Sequence, residues 1–252
     1  MLSQIIFYIA FYIIGVTLGS FFTLATYRIP LKQDILYTRS YCPKCNNKLK
    51  NRDLIPILSY IFLGGKCRYC HEKISSRYII IEFFSGLFYL LFVLSLKIDI
   101  FNIDMLKIME LLYGTLIISC FFIIGGIAKE NGRLSIETLI FGLVVNAIYI
   151  IYLYILECNI YRYIICFVAT IILLILQALM KKEKYKKFCD VIIMCLFSAI
   201  TTNEIIFATS ASFALIIQMI LQVITKRKDT NYIFYFCFLN ILFLIIYNFI
   251  TI

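Results

Sequence analysis

Eight stretches of this chain are apolar for long enough to cross a lipid bilayer, and no other feature narrows its possible folds as much. A helix rises 1.5 Å per residue, so crossing a hydrocarbon core of about 30 Å takes about 20 residues. The stretches are 5–24, 79–97, 111–128, 136–156, 163–180, 190–207, 209–225 and 231–250. In lipid every backbone N–H and C=O must be satisfied within the protein, so runs of this kind form helices. Composition agrees: 63% of residues are hydrophobic and 15% charged, whereas soluble domains are nearer half apolar and a quarter charged. The expected fold class is an all-α polytopic membrane protein of about eight transmembrane helices. Thr201, Thr202, Asn203 and Glu204 interrupt the sixth and seventh runs, which reads as a hairpin with a very short turn. The first run has no basic residue before it and no small-residue cleavage site after it, so it reads as a spanning helix, not a signal peptide.

The formal charge of +10 would suggest nucleic acid in a soluble protein. Here Lys and Arg gather in the short segments between apolar runs, which is the pattern of topology signals, and no nucleic-acid partner is expected. The segment between the first two runs, together with the loops around Lys129 and Arg133, Lys181 to Lys187 and Lys226 to Lys228, holds 21 of the 24 basic residues. The other side holds only Lys97, Lys107 and Arg162. Cytoplasmic loops carry the excess of Lys and Arg. The expectation is therefore a multi-pass protein of the cytoplasmic membrane, with both termini outside and residues 31–78 in the cytoplasm. With no Trp and 19 Tyr, any aromatic belt at the bilayer surface must be built from Tyr.

The expected division is a first transmembrane helix in 1–30, a cytoplasmic loop in 31–78 and a transmembrane domain in 79–252. That loop contains Cys42-Pro43-Lys44-Cys45 and Cys67-Arg68-Tyr69-Cys70. Two C-x-x-C knuckles at this separation match the tetrathiolate zinc pattern, because two intervening residues let both sulfurs of a knuckle reach one ion. Lys44, Lys66 and Arg68 would favour the thiolates. Two disulfides are the alternative, but a cytoplasmic loop is reducing. Four ligands leave no open position for water, so the expected zinc is structural, held in a zinc-ribbon-like loop by Cys42, Cys45, Cys67 and Cys70. The six remaining cysteines lie in or near apolar runs and read as small buried hydrophobes. His71, the one histidine, follows the last ligand and reads as a solvated bystander or a spare donor.

Around the knuckles stand Gly19-Ser20-Phe21, Tyr27-Arg28-Ile29-Pro30, Asp53-Leu54-Ile55-Pro56-Ile57-Leu58-Ser59-Tyr60, Gly65-Lys66, Ile74-Ser75-Ser76-Arg77-Tyr78, Glu82 and Gly86. Over residues 15–90 the chain resembles the bacterial type IV prepilin peptidases, which cleave the leaders of pilin-like precursors and N-methylate the product. The resemblance implies type IV prepilin or pseudopilin precursors as partners and S-adenosylmethionine as methyl donor where methylation is retained. No G-x-G-type loop marks a site for that donor.

Beyond residue 90 the chain departs from the family pattern, and the departure falls on the chemistry. The family is an intramembrane aspartic peptidase whose two Asp lie at the ends of spans, one acting as base and the other as acid. Its first Asp stands in an I-D-x-D/E-x-x-x-I-P frame. Here Ile127 to Ser135 fits that frame and puts Ala128 in its place. The second stands in G-x-G-D-x-K. Here Lys187-Phe188-Cys189-Asp190-Val191-Ile192 keeps Asp190 but loses both glycines and the lysine. No Asp lies between 105 and 189 to supply the missing carboxylate. The candidate catalytic residues are Asp190 and Glu130, which aligns with the accessory acid of the first frame. Their structural readings are a helix N-cap for Asp190 and a solvated loop residue for Glu130. Glu137 is the other acid near the lost position. Glu82, one turn into the second run, reads as functional or as part of a specific buried pair.

Three roles fit these residues: a prepilin peptidase with an unorthodox partner for Asp190, a cleavage-dead member that keeps methyl transfer, and a non-enzymatic scaffold in pilus or secretion assembly. The expectation is prepilin processing with the proteolytic half weakened at Ala128.

Overall fold

The structure is a computed structural model that describes residues 2–180, 183–202, 204–225 and 231–251. Lys181, Lys182, Asn203 and Lys226 to Lys228, which entered the reading of topology and of the hairpin, lie outside the described residues. The described chain is almost entirely helical and contains no strand, only two isolated bridges. It forms two compact units, Met1–Lys107 and Ile108–Ile252.

In the first unit α1 (Leu2–Arg28) packs along α3 (Arg77–Ser95). The helix α1 stops just before Pro30, as expected where proline disfavours helical geometry in the residue before it. The seam between the two helices is made of small residues. A methyl group added at Gly15 would lie 2.7 Å from Cβ of Tyr89 and 2.9 Å from Cα of Gly86. One added at Gly86 would lie 2.5 Å from Val16. Gly15 and Gly19 form a G-x-x-x-G step of the kind that lets membrane helices approach backbone to backbone. Ser85 Oγ donates across the seam to the Gly15 carbonyl at 2.8 Å. At the far end of α1, Gln4 Nε2 donates to the Ile98 carbonyl at 2.6 Å and fastens the turn after α3. Between α1 and α3 lies the cysteine-bearing loop, with a 3₁₀ turn at Asn51–Asp53 and the short helix α2 (Leu58–Phe62).

The helix α4 (Met105–Asn131) leads into the second unit, which continues with α5 (Ile136–Ile155), α6 (Tyr161–Leu179), α7 (Glu183–Thr201), α8 (Glu204–Thr225) and α9 (Tyr232–Thr251). Gly132, at φ +66°, closes α4, and its N–H returns to the Ala128 carbonyl at 2.8 Å. The side chain of Ser135 then caps α5 by accepting from the Thr138 N–H. The core of the unit gathers Phe121, Phe197, Phe236 and Ile193, all fully buried. The Phe197 ring meets Phe121 edge to face at 5.8 Å and fills the space that Gly142 leaves open. Polar groups in this core are paired. Tyr113 stacks on Tyr149 at 3.8 Å and donates to Asn146 Oδ1 at 2.8 Å. Ser198 donates to Asn240 Oδ1 at 2.5 Å.

Six helices among the described residues (α1, α3, α4, α5, α6 and α9) have the length and hydropathy of a membrane span. The other two expected spans are α7, whose first turns carry Glu183, Lys186 and Lys187, and α8, whose apolar part is the shorter Ile205–Leu221. The boundary between them lies before the expected residue 207: α7 ends at Thr201 and α8 begins at Glu204. Thr201 and Thr202 each turn a hydroxyl onto the Ser198 carbonyl, which favours a helix end there.

Candidate metal centre and membrane-border acids

The two cysteine knuckles repeat one backbone design at an offset of 25 residues. In the first, Cys42 N–H bonds the Asn47 carbonyl at 3.0 Å and Asn46 N–H bonds the Cys42 carbonyl at 2.8 Å. In the second, Cys67 N–H bonds the Glu72 carbonyl at 2.9 Å and His71 N–H bonds the Cys67 carbonyl at 3.0 Å. Tyr41 bridges Lys48 as Lys66 bridges Lys73. Asn46 and His71 occupy the matching left-handed position at φ +55° and +57°. His71 is thus a backbone counterpart of Asn46, exposed to solvent, and the four cysteines gather without it.

All four Sγ atoms lie within 4.8 Å of one another, with Cys42 and Cys67 buried. Cys42 Sγ and Cys70 Sγ are 3.9 Å apart. A tetrahedral zinc with bonds of about 2.3 Å needs ligand sulfurs roughly 3.8 Å apart, so the donor set fits one such ion. A backbone N–H of Glu72 favours the Cys70 thiolate, but partial desolvation within the loop and the three neighbouring sulfurs outweigh it and push that thiol up to about 12. A bound divalent cation reverses that balance.

Two buried charges order the loop, one fastening it to α1 and one tying it to itself. Arg28, 4% exposed at the end of α1, donates to the carbonyls of Asp34 and Thr38 at 2.9 Å each and to Arg39 at 3.3 Å. Asp53 accepts from Arg68 Nε at 2.6 Å, from Tyr69 OH at 3.3 Å and from the Lys50 N–H at 3.2 Å. Arg68 and Tyr69 are the two residues between the second pair of cysteines, so this clasp orients that knuckle. Burial opposes the charge on Asp53, but Arg68 and the Lys50 N–H outweigh it and hold its carboxyl below the usual range. Arg68 was expected to favour thiolates, and its contact is with Asp53. The Asp53 clasp was not foreseen, although Asp53 and Arg68 both stand in the motif residues.

Glu82 sits inside α3, 7% exposed, and accepts the Ile57 N–H at 2.7 Å through Oε2. Ile57 has φ +62° and ψ −56°, and Leu58 N–H reaches back to the Pro56 carbonyl at 2.6 Å. This is a γ-turn of the rarer, strained hand, on a β-branched residue. The Pro56-Ile57 step signals a turn in the sequence, but nothing in it identifies Glu82 as the group that holds the turn.

In the second unit Asp190 lies about two turns inside α7, which begins at Glu183, so it is not the helix cap that its place before the apolar run suggested. It is 5% exposed. Its Oδ1 accepts from Gln177 Nε2 of α6, and the Leu134 backbone N–H also bonds the carboxyl, with Arg133 nearby. Gln177 was missed, although it is one of few polar residues in the run 163–180. Ala128 is 1% exposed, and its carbonyl accepts from Asn231 Nδ2 at 2.5 Å. Glu130 is exposed at the end of α4. Glu137 is exposed in the first turn of α5 beside Ser135, where a carboxylate favours the helix dipole.

Residues 13–96 match the bacterial peptidase A24 N-terminal domain, and that stretch contains all four cysteines, Arg28, Asp53 and Glu82. The match to that domain model covers about a third of the chain. The chain is similar to a prepilin leader peptidase/N-methyltransferase of Vibrio cholerae, 34% identical over 160 residues that cover 55% of this chain and 63% of the relative. A relative of the same description from Bacillus subtilis is 48% identical over 67 residues, 27% of each chain. One from Myxococcus xanthus is 37% identical over 84 residues, 33% of this chain and 25% of the relative. The chain thus matches less than two thirds of the length of each of these relatives. No solved structure matches it. Asp190 and Ala128 lie beyond the matched domain.

Proposed function

We propose that this multi-pass membrane protein recognises and processes type IV prepilin-like precursors, with the proteolytic step weakened. The observation that carries the reading is the four-cysteine cluster of two equivalent knuckles inside the matched A24 domain. In this reading Cys42, Cys45, Cys67 and Cys70 hold one structural zinc, which closes the loop and takes no part in bond making. The loop faces the cytoplasm and both termini face outward, in keeping with the excess of Lys and Arg in the loops assigned to that side. The relatives are named for both leader cleavage and N-methyl transfer, and methyl transfer here requires S-adenosylmethionine.

Cleavage needs two carboxylates of tuned pKa on one water. Asp190 is retained, but its carboxyl is engaged by Gln177 and the Leu134 N–H, and the first family position is a packed methyl, Ala128. Any residual cleavage falls to Asp190 with Glu130 as the second acid. Loss of one acid–base partner typically costs a factor of about a hundred to ten thousand. The test is co-expression with a pilin-like precursor, followed by mass measurement of the precursor's N-terminus. The expected product is largely uncleaved precursor with a small processed fraction. Processing at the rate of an intact family member would overturn the weakened-dyad reading. A precursor that neither associates with the protein nor changes mass would overturn the role itself.

A further inference from the structure

The carboxyl group of Glu82 is only half used. Oε2 is fixed by the Ile57 N–H at 2.7 Å, while Oε1 has no hydrogen-bond or ion-pair partner among the described residues, although the side chain is 7% exposed. A buried carboxylate oxygen without a partner is costly, and acids at membrane depth are generally functional. Arg28 is committed to three loop carbonyls and Arg68 to Asp53. The turn that holds Oε2 is itself strained at Ile57, and strain of this kind concentrates at functional sites.

We propose that the free oxygen of Glu82 binds a primary ammonium group, that of a peptide N-terminus. Two observations set the chemistry. The residues around the γ-turn are apolar and exposed: Leu54 at 40%, Ile55 at 47% and Leu58 at 50%. They suit a ligand with a charged head and an apolar body. A hard metal ion instead needs six or more oxygen ligands, and one free carboxylate oxygen amid aliphatic side chains does not offer them. An ammonium asks for a single strong acceptor at its centre of charge, and a charge-assisted hydrogen bond of that kind is among the stronger ones available. The identification of the peptide as the processed end of a prepilin-like precursor rests on the function proposed above. The ammonium site rests on Glu82 alone.

The experiment uses the full chain in neutral phosphatidylcholine nanodiscs and a labelled apolar dodecapeptide with a free N-terminal amine. Its N-acetylated twin and an acetylated twin carrying one Lys are measured beside it by fluorescence anisotropy. The free amine should bind the parent at least tenfold more tightly than the acetylated peptide. Glu82→Gln should remove that difference, because a Gln oxygen still accepts the Ile57 N–H but offers no charge. Equal binding of free and acetylated peptides to the parent overturns the proposal and leaves the apolar residues as a surface for lipid. A Gln variant that keeps the tenfold preference overturns it too. Tight binding of the Lys peptide supports the ammonium site with a lysine as its source. The peptide comparison on the parent needs no variant, so a Gln protein that fails to fold does not protect the idea. Failure of precursor processing with the amine preference intact would remove the proposed function and keep the site.

Discussion

Asp53 ties the middle of the cysteine loop to its second knuckle through Arg68, Tyr69 and the Lys50 N–H. Its carboxyl lies below the usual range of about 3.8, so the clasp contributes stability above that value and loses it as pH falls through the lowered one. At neutral pH the contact is fully formed and insensitive to small pH changes. Asp53→Asn should therefore loosen the knuckle at neutral pH, although Asn is nearly isosteric. The parent should carry one zinc per chain, and the variant should release it to a chelator several-fold faster. The gain in rate stays modest because Arg68 is itself 37% exposed and water competes for it. A metal-free parent, or identical release from both proteins, would sink this account. Residues of this kind show why motif reading goes only so far. The four cysteines are legible because ligand spacing is local, two residues apart within each knuckle. Glu82 is legible as a costly acid, but its partner lies 25 residues away, across a γ-turn that no pattern of residue types announces. His71 could be discounted only once Asn46 was seen in the matching left-handed position.

At the scale of elements, hydropathy alone places α1, α3, α4, α5, α6 and α9, because lipid leaves a helix no alternative to internal hydrogen bonding. It places α7 less well. Charged residues fill its first two turns, so its start is invisible to hydropathy, and Asp190, for which a cap was the alternative to a catalytic role, lies well inside. The break between α7 and α8 was visible as a polar interruption, but its limits depend on the Thr201 and Thr202 hydroxyls turning onto Ser198. The same helices make the orientation testable. Reporter fusions after residue 50 and after residue 185 should both report the cytoplasm, since the loops there belong to the strongly basic side. Opposite answers would mean an odd number of crossings between them and a different assignment of α4, α5 and α6.

For the molecule as a whole, the two units stand differently to the family. The first, Met1–Lys107, contains the entire matched domain and every motif that carries the resemblance. The second, Ile108–Ile252, contains Ala128 and Asp190, the two positions proposed for the dyad. Installing Ala128→Asp beside Asp190 asks whether one carboxylate is all that is missing. Ala128 is packed at 1% exposure, so the new acid enters a buried position and needs a polar neighbour to be tolerated. The expected outcome is a rise in cleavage of a pilin-like precursor, larger when Cys189→Gly is added to relieve bulk before Asp190. In that repaired protein Asp190→Ala should abolish the gain. If the parent already cleaves at full rate, the reading of position 128 is wrong. If the double repair stays inactive in a protein that still assembles, the loss of activity extends past the dyad.

The glycine seam of α1 and α3 also bears on how the protein can be handled. Where Gly15, Gly19 and Gly86 bring two backbones into direct contact, no gap remains for an acyl tail to enter. A detergent molecule can therefore wet the outer faces of this pair without parting it. The helix α6 is the opposite case: only 11% of its apolar window is fully buried within the protein, so solubilising amphiphiles meet the larger part of its surface. During extraction from the bilayer the unit that carries the cysteine loop should be the part that survives stringent detergent, and α6 the part whose neighbours are lost first. A gentle amphiphile is needed for the half of the molecule where proteolysis would be assayed, and a harsh one would abolish any cleavage for reasons unrelated to Ala128.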